Sequence, residues 1–108
     1  MKKHQIQIAV SIDQRGNANF TYDPGVQRVY GGDMVRWICN DGPVAILFKE
    51  ATPCNKMDAR SVCGEQPFES EALEVTNKAA PGHYHYAVAA YVDGKVYLDA
   101  ACPELIVN

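Results

Sequence analysis

Hydrophobic and polar residues alternate along most of the chain, with a period of two. The apolar side chains of this pattern are Ile6, Ile8, Val10, Ile12, Val35, Trp37, Cys39, Leu73, Val75, Tyr84, Tyr86, Val88, Leu105 and Val107. Such alternation is typical of β-strands that bury one face and expose the other. Many short strands of this kind predict an all-β fold, a single-domain Greek-key β-sandwich whose buried sets share one core.

Glycine, proline and aspartate mark the turns between these strands. The turn segments are "DPG" at 23–25, "GGD" at 31–33, "NDGP" at 40–43, "APG" at 80–82 and "DG" at 93–94. Asp-Gly between alternating apolar residues favours a type I′ hairpin, so a strand should run from His83 to Val92 and return from Lys95. The segment "NKMDARSV" at 55–62 has no apolar stripe and would form a turn or two of helix at most.

Length and composition restrict the classes of protein to consider. The 108 residues are enough for one domain, expected to cover 1–108, with 47% hydrophobic and 21% charged residues and a net charge of −3. This charge makes nucleic acid an unexpected partner. The alternating start "MKKHQIQIAVSID" predicts a strand rather than a leader, although a leader removed earlier is compatible with it. No apolar run approaches the ~20 residues of a membrane span.

Four cysteines in so short a chain favour an oxidising compartment. Cys54 and Cys63 enclose a polar segment with little core of its own, and a disulfide between them is the first expected pairing. Cys39 and Cys102 are candidates for a second disulfide. A zinc site would need two close C-x₂₋₄-C pairs, which the sequence lacks.

Two long segments resemble the cupredoxin family of small copper proteins. The segment "YDPGVQRVYGGDMVRWICNDGPVAILF" at 22–48 has the family's order of strand, turn and strand, and "LEVTNKAAPGHYHYAV" at 73–88 has the Pro-Gly turn and the G-x-Y-x-Y-x pattern that precedes the copper-binding cysteine. From the start of the first segment to the end of the second, the resemblance extends over residues 22–88. The resemblance implies a cupredoxin-like β-sandwich located in the periplasm or outside the cell.

The copper ligands of that family are not found at the matching positions. Val44 stands where the resemblance places the first histidine, Val88 where it places the cysteine, and Tyr91 where it places the second histidine. No methionine follows. Because type 1 copper needs a thiolate and two imidazoles, we expect no copper and no other cofactor at these vacated copper positions. The family's electron-transfer activity is therefore not expected either.

Two other pairs of side chains are candidates for a metal or redox site. The resemblance places Cys39 where cupredoxins have an asparagine beside the metal, with Cys102 near the same end. A redox-active or metal-capable pair, a disulfide and two small buried hydrophobes are the alternatives. His83 and His85 are two apart on one strand and share a face, so they could bind copper(II), zinc or nickel, with Arg36 on a neighbouring strand opposing a cation. A solvated face with two histidines is the simpler interpretation.

No arrangement in the sequence indicates catalysis. The serines, at positions 11, 61 and 70, have no nucleophile-elbow context, and the glutamates at 65, 69, 71 and 74 read as a solvated loop and strand edge. We therefore predict a protein that is not an enzyme.

Outward positions of the predicted strands suggest a binding surface. Alternation places Met34, Arg36, Ile38, His83, His85 and Ile106 on what we predict to be one partly apolar outer face, with Tyr91 in a nearby loop. Such patches often mark protein contacts, unless a loop covers them. Two hypotheses follow: a domain without copper that binds a protein partner or itself, and a protein that handles copper or zinc at His83 and His85 or at Cys39 and Cys102.

Overall fold

The computed structural model describes residues 1–61, 66–99 and 103–108, and in these ranges it contains strands and no helix. The strands are β1 (Lys3–Ile12), β2 (Ala18–Asp23), β3 (Val26–Val29), β4 (Met34–Cys39), β5 (Val44–Phe48), β6 (Asp58–Arg60), β7 (Phe68–Glu69), β8 (Leu73–Glu74), β9 (Gly82–Val92), β10 (Lys95–Asp99) and β11 (Glu104–Val107). No helix in these ranges could therefore cross a membrane.

The strands form two sheets that face each other. The first sheet has the order β2-β1-β4-β7, with β8 also paired to β4; the second has the order β3-β11-β9-β5-β6, with β10 also paired to β9. The pairs β1–β4 and β3–β11 are parallel, and the chain reaches the second strand of each pair after passing through the other sheet. This confirms the predicted β-sandwich.

The alternating apolar residues meet between the sheets. Trp37 on β4 packs edge-on against Tyr86 on β9, with ring centroids 5.4 Å apart, and Phe48 on β5 lies 5.7 Å from Tyr86. All three side chains are buried. Aromatic side chains bury large areas, and edge-to-face pairs add a further 0.5–1.5 kcal/mol or so each. The predicted inward positions are therefore the core that joins the two sheets.

The predicted Asp-Gly hairpin is confirmed. Asp93 and Gly94 have φ angles of 50° and 80°, as a type I′ turn requires, and Lys95 pairs with Val92. A two-residue turn therefore connects β9 to the antiparallel strand β10.

The segment around Cys54 is part of the sheets rather than a loop with a helical turn. Cys54 forms an isolated bridge with Val75, and β6 pairs with β5. The Cys54 side chain belongs to the buried core cluster, and Thr52 Oγ1 accepts a hydrogen bond from its backbone N–H. The sequence suggested a helical turn because this short strand has only one inward residue, Ala59.

The two predicted disulfides are not supported. Cys39 and Cys54 are free, buried thiols. Cys63 and Cys102, their expected partners, lie outside the described residues. Cys39 and Cys54 instead pack in the core as small apolar side chains, which is a common role of cysteine.

We expect Cys54 to resist alkylation in the folded protein at pH 8 and to react fully after denaturation without reductant. Burial raises the pKa of its thiol to about 12, although a hydrogen bond with Thr52 acts in the opposite direction. Since the thiolate is the reactive form, mass spectrometry of alkylated peptides should show this contrast. A Cys54 peptide that appears only after reduction would contradict the free thiol.

Candidate functional site

The vacated copper positions Val44 and Val88 lie inside the sandwich. Val44 begins β5 and is 3% exposed, and Val88 lies in the middle of β9 and is 1% exposed. Val44 is paired with Ala90, and Val88 with Ile46, on the inner face of the second sheet. Both side chains are therefore surrounded by core residues.

Tyr91, the third vacated position, points the opposite way. Its side chain is 52% exposed on the outer face of the second sheet. Its backbone N–H donates to the Pro43 carbonyl oxygen at 2.9 Å, and a Cβ added to Gly42 would lie 2.0 Å from the Tyr91 carbonyl oxygen. Glycine is thus required at position 42 for this close approach. Strand β9 therefore runs through this third vacated position and ends at Val92.

The residues present do not fit a type 1 copper ion. Two aliphatic side chains and an outward phenol provide neither thiolate nor imidazole at these three positions. Cys39, on the other sheet, is a buried thiol whose pKa is raised by burial, although the backbone N–H groups of Asp41 and Gly42 oppose this effect. In the part of the chain that the structure describes, no three His, Cys, Asp or Glu side chains form a group that could hold a metal.

The histidine pair is engaged with a carboxylate. His83 Nδ1 lies 3.2 Å and His85 Nε2 3.5 Å from the same oxygen, Glu104 Oε2. Glu104 on β11 is paired directly with His85. His4 is far from this group, on β1, where its Nε2 lies 2.8 Å from Asp33 Oδ2. The two exposed imidazoles therefore have a nearby acceptor without any metal.

The predicted single outer patch is wrong, because its residues lie on opposite sides of the molecule. Met34, Arg36 and Ile38 belong to β4 in the first sheet, whereas His83, His85 and Ile106 belong to β9 and β11 in the second. The inner faces of the two sheets are packed together, so their outer faces point apart. Arg36, which was expected beside the histidines, instead contacts Glu69 and Gln5.

A different apolar surface occupies one half of the outer face of the second sheet. We call it the outer apolar face; its residues are Ala45 and Leu47 on β5, Ala87, Ala89 and Tyr91 on β9, and Val96 and Leu98 on β10. They are cross-strand neighbours: Val96 pairs with Tyr91, Leu98 with Ala89, Ala89 with Ala45, and Ala87 with Leu47. A shallow depression lies between Ala45, Ala89, Tyr91 and Val96.

The exposure of this face is unusual for the outside of a sandwich. Leu98 is 78% exposed, Val96 66%, Leu47 53% and Tyr91 52%. Outward positions of an antiparallel sheet are normally polar. Of these residues, only Tyr91 is predicted from the sequence to be part of a binding surface. The alternation in "KVYLD" contains the signal for Val96 and Leu98, but it does not say which face of β10 is covered.

Comparison with known proteins found similarity at the level of structure. No family model and no curated protein matches the chain. A pseudoazurin from Sinorhizobium meliloti aligns with TM-score 0.54 and 17% identity over 100% of this chain and 75% of that one. A purple cupredoxin from Nitrosopumilus maritimus aligns with TM-score 0.57 and 15% identity over 97% and 99%. A pseudoazurin from Hyphomicrobium denitrificans aligns with TM-score 0.51 and 20% identity over 98% and 75%.

These alignments span nearly the whole of this chain. At such identities they speak to the fold and not to the chemistry of any site. Together with the two packed sheets, they confirm the expected architecture: this protein has a cupredoxin-like fold.

Proposed function

We propose that the protein is a non-enzymatic, cupredoxin-like binding or accessory domain that acts through protein contact at the outer apolar face. The observation that carries the proposal is the adjacency of four large, exposed apolar side chains, Leu47, Tyr91, Val96 and Leu98, on one sheet face. Contiguous exposed apolar surface on a globular protein often marks an interaction site. The proposal keeps the periplasmic or extracellular location that the family resemblance implies.

The size of the face fits a transient complex. Complete burial of a valine or leucine side chain contributes about 1.5–3 kcal/mol, and association itself costs roughly 4–15 kcal/mol. The free energy gained by burying the four large side chains therefore exceeds the cost of association only if a partner covers most of them and adds contacts at the border. Small interfaces of this kind are typical of transient complexes.

The charges at the border indicate the chemistry of the partner. Arg60 and Asp58 lie together at 3.4 Å on β6, and Asp93 and Lys95 are on either side of Gly94 at the hairpin. Opposite charges placed side by side largely cancel at a distance. The partner that fits is a protein with an apolar patch and no strong net charge around it, and binding should depend weakly on ionic strength.

The hydroxyl groups of two serines support a non-enzymatic role. Ser70 Oγ accepts a hydrogen bond from the backbone N–H of Trp37 and donates one to the Glu71 carbonyl oxygen. Ser61 Oγ accepts the Val44 N–H at 2.9 Å. These hydroxyls are used to join strands, whereas a nucleophilic serine needs an adjacent base in a pocket.

The second candidate function is metal handling at His83 and His85. The observation in its favour is Glu104, which adds a carboxylate beside both imidazoles. We rank it below protein contact because, among the described residues, these side chains do not form a group that could hold a metal ion. Calorimetric titration with copper(II) and with zinc separates the two: tight stoichiometric binding that is lost in His83→Ala and His85→Ala would support metal handling instead.

Photo-crosslinking from a single position on the outer apolar face tests the proposed function. A photo-crosslinking residue at position 98, introduced in the source organism, should capture a protein that the same residue at position 21, exposed on β2 of the other sheet, does not. The captured protein, once purified, should bind Leu98→Asp and Tyr91→Asp at least about tenfold more weakly, a loss of about 1.4 kcal/mol each.

The matched control is Thr21→Asp, which should bind within about twofold of the unchanged protein. Equal capture from positions 98 and 21, or unchanged binding by Leu98→Asp, would contradict the proposal.

A further inference from the structure

Strand β10 has a partner on one side. In the ranges 1–61, 66–99 and 103–108 it pairs with β9 and with no other strand. Edge strands can pair with another chain, and natural proteins protect them by short length, charged side chains or a bulge. Here the five-residue strand carries its two most exposed large apolar residues, Val96 and Leu98, at its centre.

The backbone groups of Val96 and Leu98 face away from β9, toward the edge of β10 that pairs with no described strand. Strand β2 of the first sheet lies against β10 without pairing with it, and its Tyr22 hydroxyl contacts Asp99. In a two-residue hairpin the residues flanking the turn, Val92 and Lys95, form a hydrogen-bonded pair, and hydrogen-bonded and non-hydrogen-bonded pairs then alternate along the strands. Tyr97 and Asp99 therefore direct their N–H and C=O groups toward β9. The Tyr91 N–H, which donates to Pro43 on the far side of β9, fits this alternation.

We propose that this edge binds a second copy of the same chain, β10 against β10 in antiparallel orientation with Tyr97 on the two-fold axis. In this register Val96 stands opposite the partner's Leu98, and Leu98 opposite the partner's Val96. Both are hydrogen-bonded pairs, so the outward N–H and C=O groups of the two residues form four backbone hydrogen bonds across the axis.

The strand is complementary to itself in this register. Lys95 is brought opposite the partner's Asp99, so the ends of the paired strands bring together opposite charges, which stabilise a cross-strand pair. Asp99 also accepts a hydrogen bond from Tyr22, which holds it in place within its own chain. A shift by two residues would lose both charge pairs. The same patch on both copies is what a two-fold interface needs.

Other edges of the sheets are less suited to pairing. Strand β6 has three residues, two of them the charged Asp58 and Arg60, and β3 has four, with Arg28 exposed. The exposed residues of β2 are Asn19, Thr21 and Asp23. Charge and short length are the usual protections against edge pairing. Of these four edge strands, β10 is the one with two large exposed apolar side chains, whereas β3 has a single one, Val26, at its start.

Edge pairing would leave the outer apolar face accessible and would place two copies of it side by side in one continuous sheet. The inference shares Val96 and Leu98 with the proposed function but does not depend on the external partner. Leu47 separates the two, because it lies on the outer apolar face but on β5, with β9 between it and β10.

The first experiment is sedimentation velocity over a concentration series. We expect a monomer–dimer equilibrium for the unchanged protein and at least about a tenfold weaker dimer for Val96→Lys with Leu98→Lys. The matched control, Leu47→Lys, should leave the dimer constant unchanged while weakening binding of the external partner. A protein that stays monomeric up to about 1 mM, the weak limit of specific association, would overturn the inference, as would a dimer unaffected by the double change.

The second experiment tests the register. Chains carrying Val96→Cys and Leu98→Cys, each with Cys63→Ser and Cys102→Ser, are mixed under mild oxidation. Residues 96 and 98 of the two copies face each other at a spacing a disulfide can bridge, so the mixed disulfide should form in preference to either homodimeric one. Random pairing already forms the mixed disulfide about twice as often as either homodimeric one, so a yield of the mixed product no higher than this statistical share would contradict the register. Loss of the external partner's binding with an intact dimer would leave this inference standing and affect the proposed function alone.

Discussion

Replacing Val44 by histidine and Val88 by cysteine should lower the free energy of unfolding by about 3 kcal/mol or more and still not produce a blue protein. Both valines are buried on the inner face. A histidine at position 44 would bring a polar ring into apolar packing, at roughly 1–3 kcal/mol, and its larger volume costs a similar amount. The third position, Tyr91, points outward and supplies no imidazole, so copper(II) would lack its second histidine.

Chemical denaturation gives the stability, and visible absorption after addition of copper(II) gives the site. Val26→His, at a residue 50% exposed on β3, is the control for a histidine placed outside the core and should cost less than about 1 kcal/mol. A double variant that keeps its stability and shows intense thiolate absorption in the red would identify a dormant copper centre. That result would also refute the interpretation of Val44 and Val88 as packing residues.

Replacing Asp33 by alanine should cost about 3 kcal/mol or more, because this buried carboxylate joins the start of β1 to the turn before β4 through three polar partners. Its Oδ1 accepts the Lys2 N–H at 3.0 Å, and its Oδ2 accepts the Tyr30 N–H at 3.0 Å and lies 2.8 Å from His4 Nε2. Removal of the carboxylate leaves the Lys2 and Tyr30 N–H groups and the His4 ring without their partner, and each buried polar group left unsatisfied typically costs about 1–3 kcal/mol. Denaturation with urea at pH 7 measures the loss.

The same residue predicts a pH dependence. Burial alone would raise the pKa of Asp33, but hydrogen bonds from His4, Lys2 and Tyr30 together lower the pKa below its ordinary value. A carboxyl with a lowered pKa in the folded state contributes stability above its unfolded pKa of about 3.9, and that contribution is lost as the pH falls through the folded value. The stability difference between the unchanged protein and Asp33→Asn should therefore shrink below about pH 4.

Asp13 is the matched control for this measurement. It accepts the Arg15 and Asn17 N–H groups through Oδ1 in an exposed turn, where Asp13→Asn should cost less than about 1 kcal/mol. A difference between the unchanged protein and Asp33→Asn that stays constant to pH 2 would show that the Asp33 carboxylate contributes no proton-linked stability.

The sequence by itself determined the strands, the Asp-Gly hairpin and the sandwich. These features depend on local rules: a period of two sorts residues such as Ile6 and Ile8 onto one face, and an Asp-Gly pair tolerates the positive φ angles of a tight turn. It also identified Val44 and Val88 as positions without metal-binding side chains, and the structure places both of them in the core.

Only the tertiary structure decided which faces lie together. Alternation says that Met34 and His83 point outward, but it does not say that β4 and β9 belong to different sheets, because sheet assignment depends on long-range pairing. Alternation also does not say whether an outward side chain is covered. The outward residues Val96 and Leu98 of β10 are exposed, whereas Ile38, an outward position of β4, is buried. The apolar face around Tyr91 and Leu98 exists because β5, which is distant in sequence, is placed beside the β9–β10 hairpin, and that placement is set by the packing of the whole sandwich.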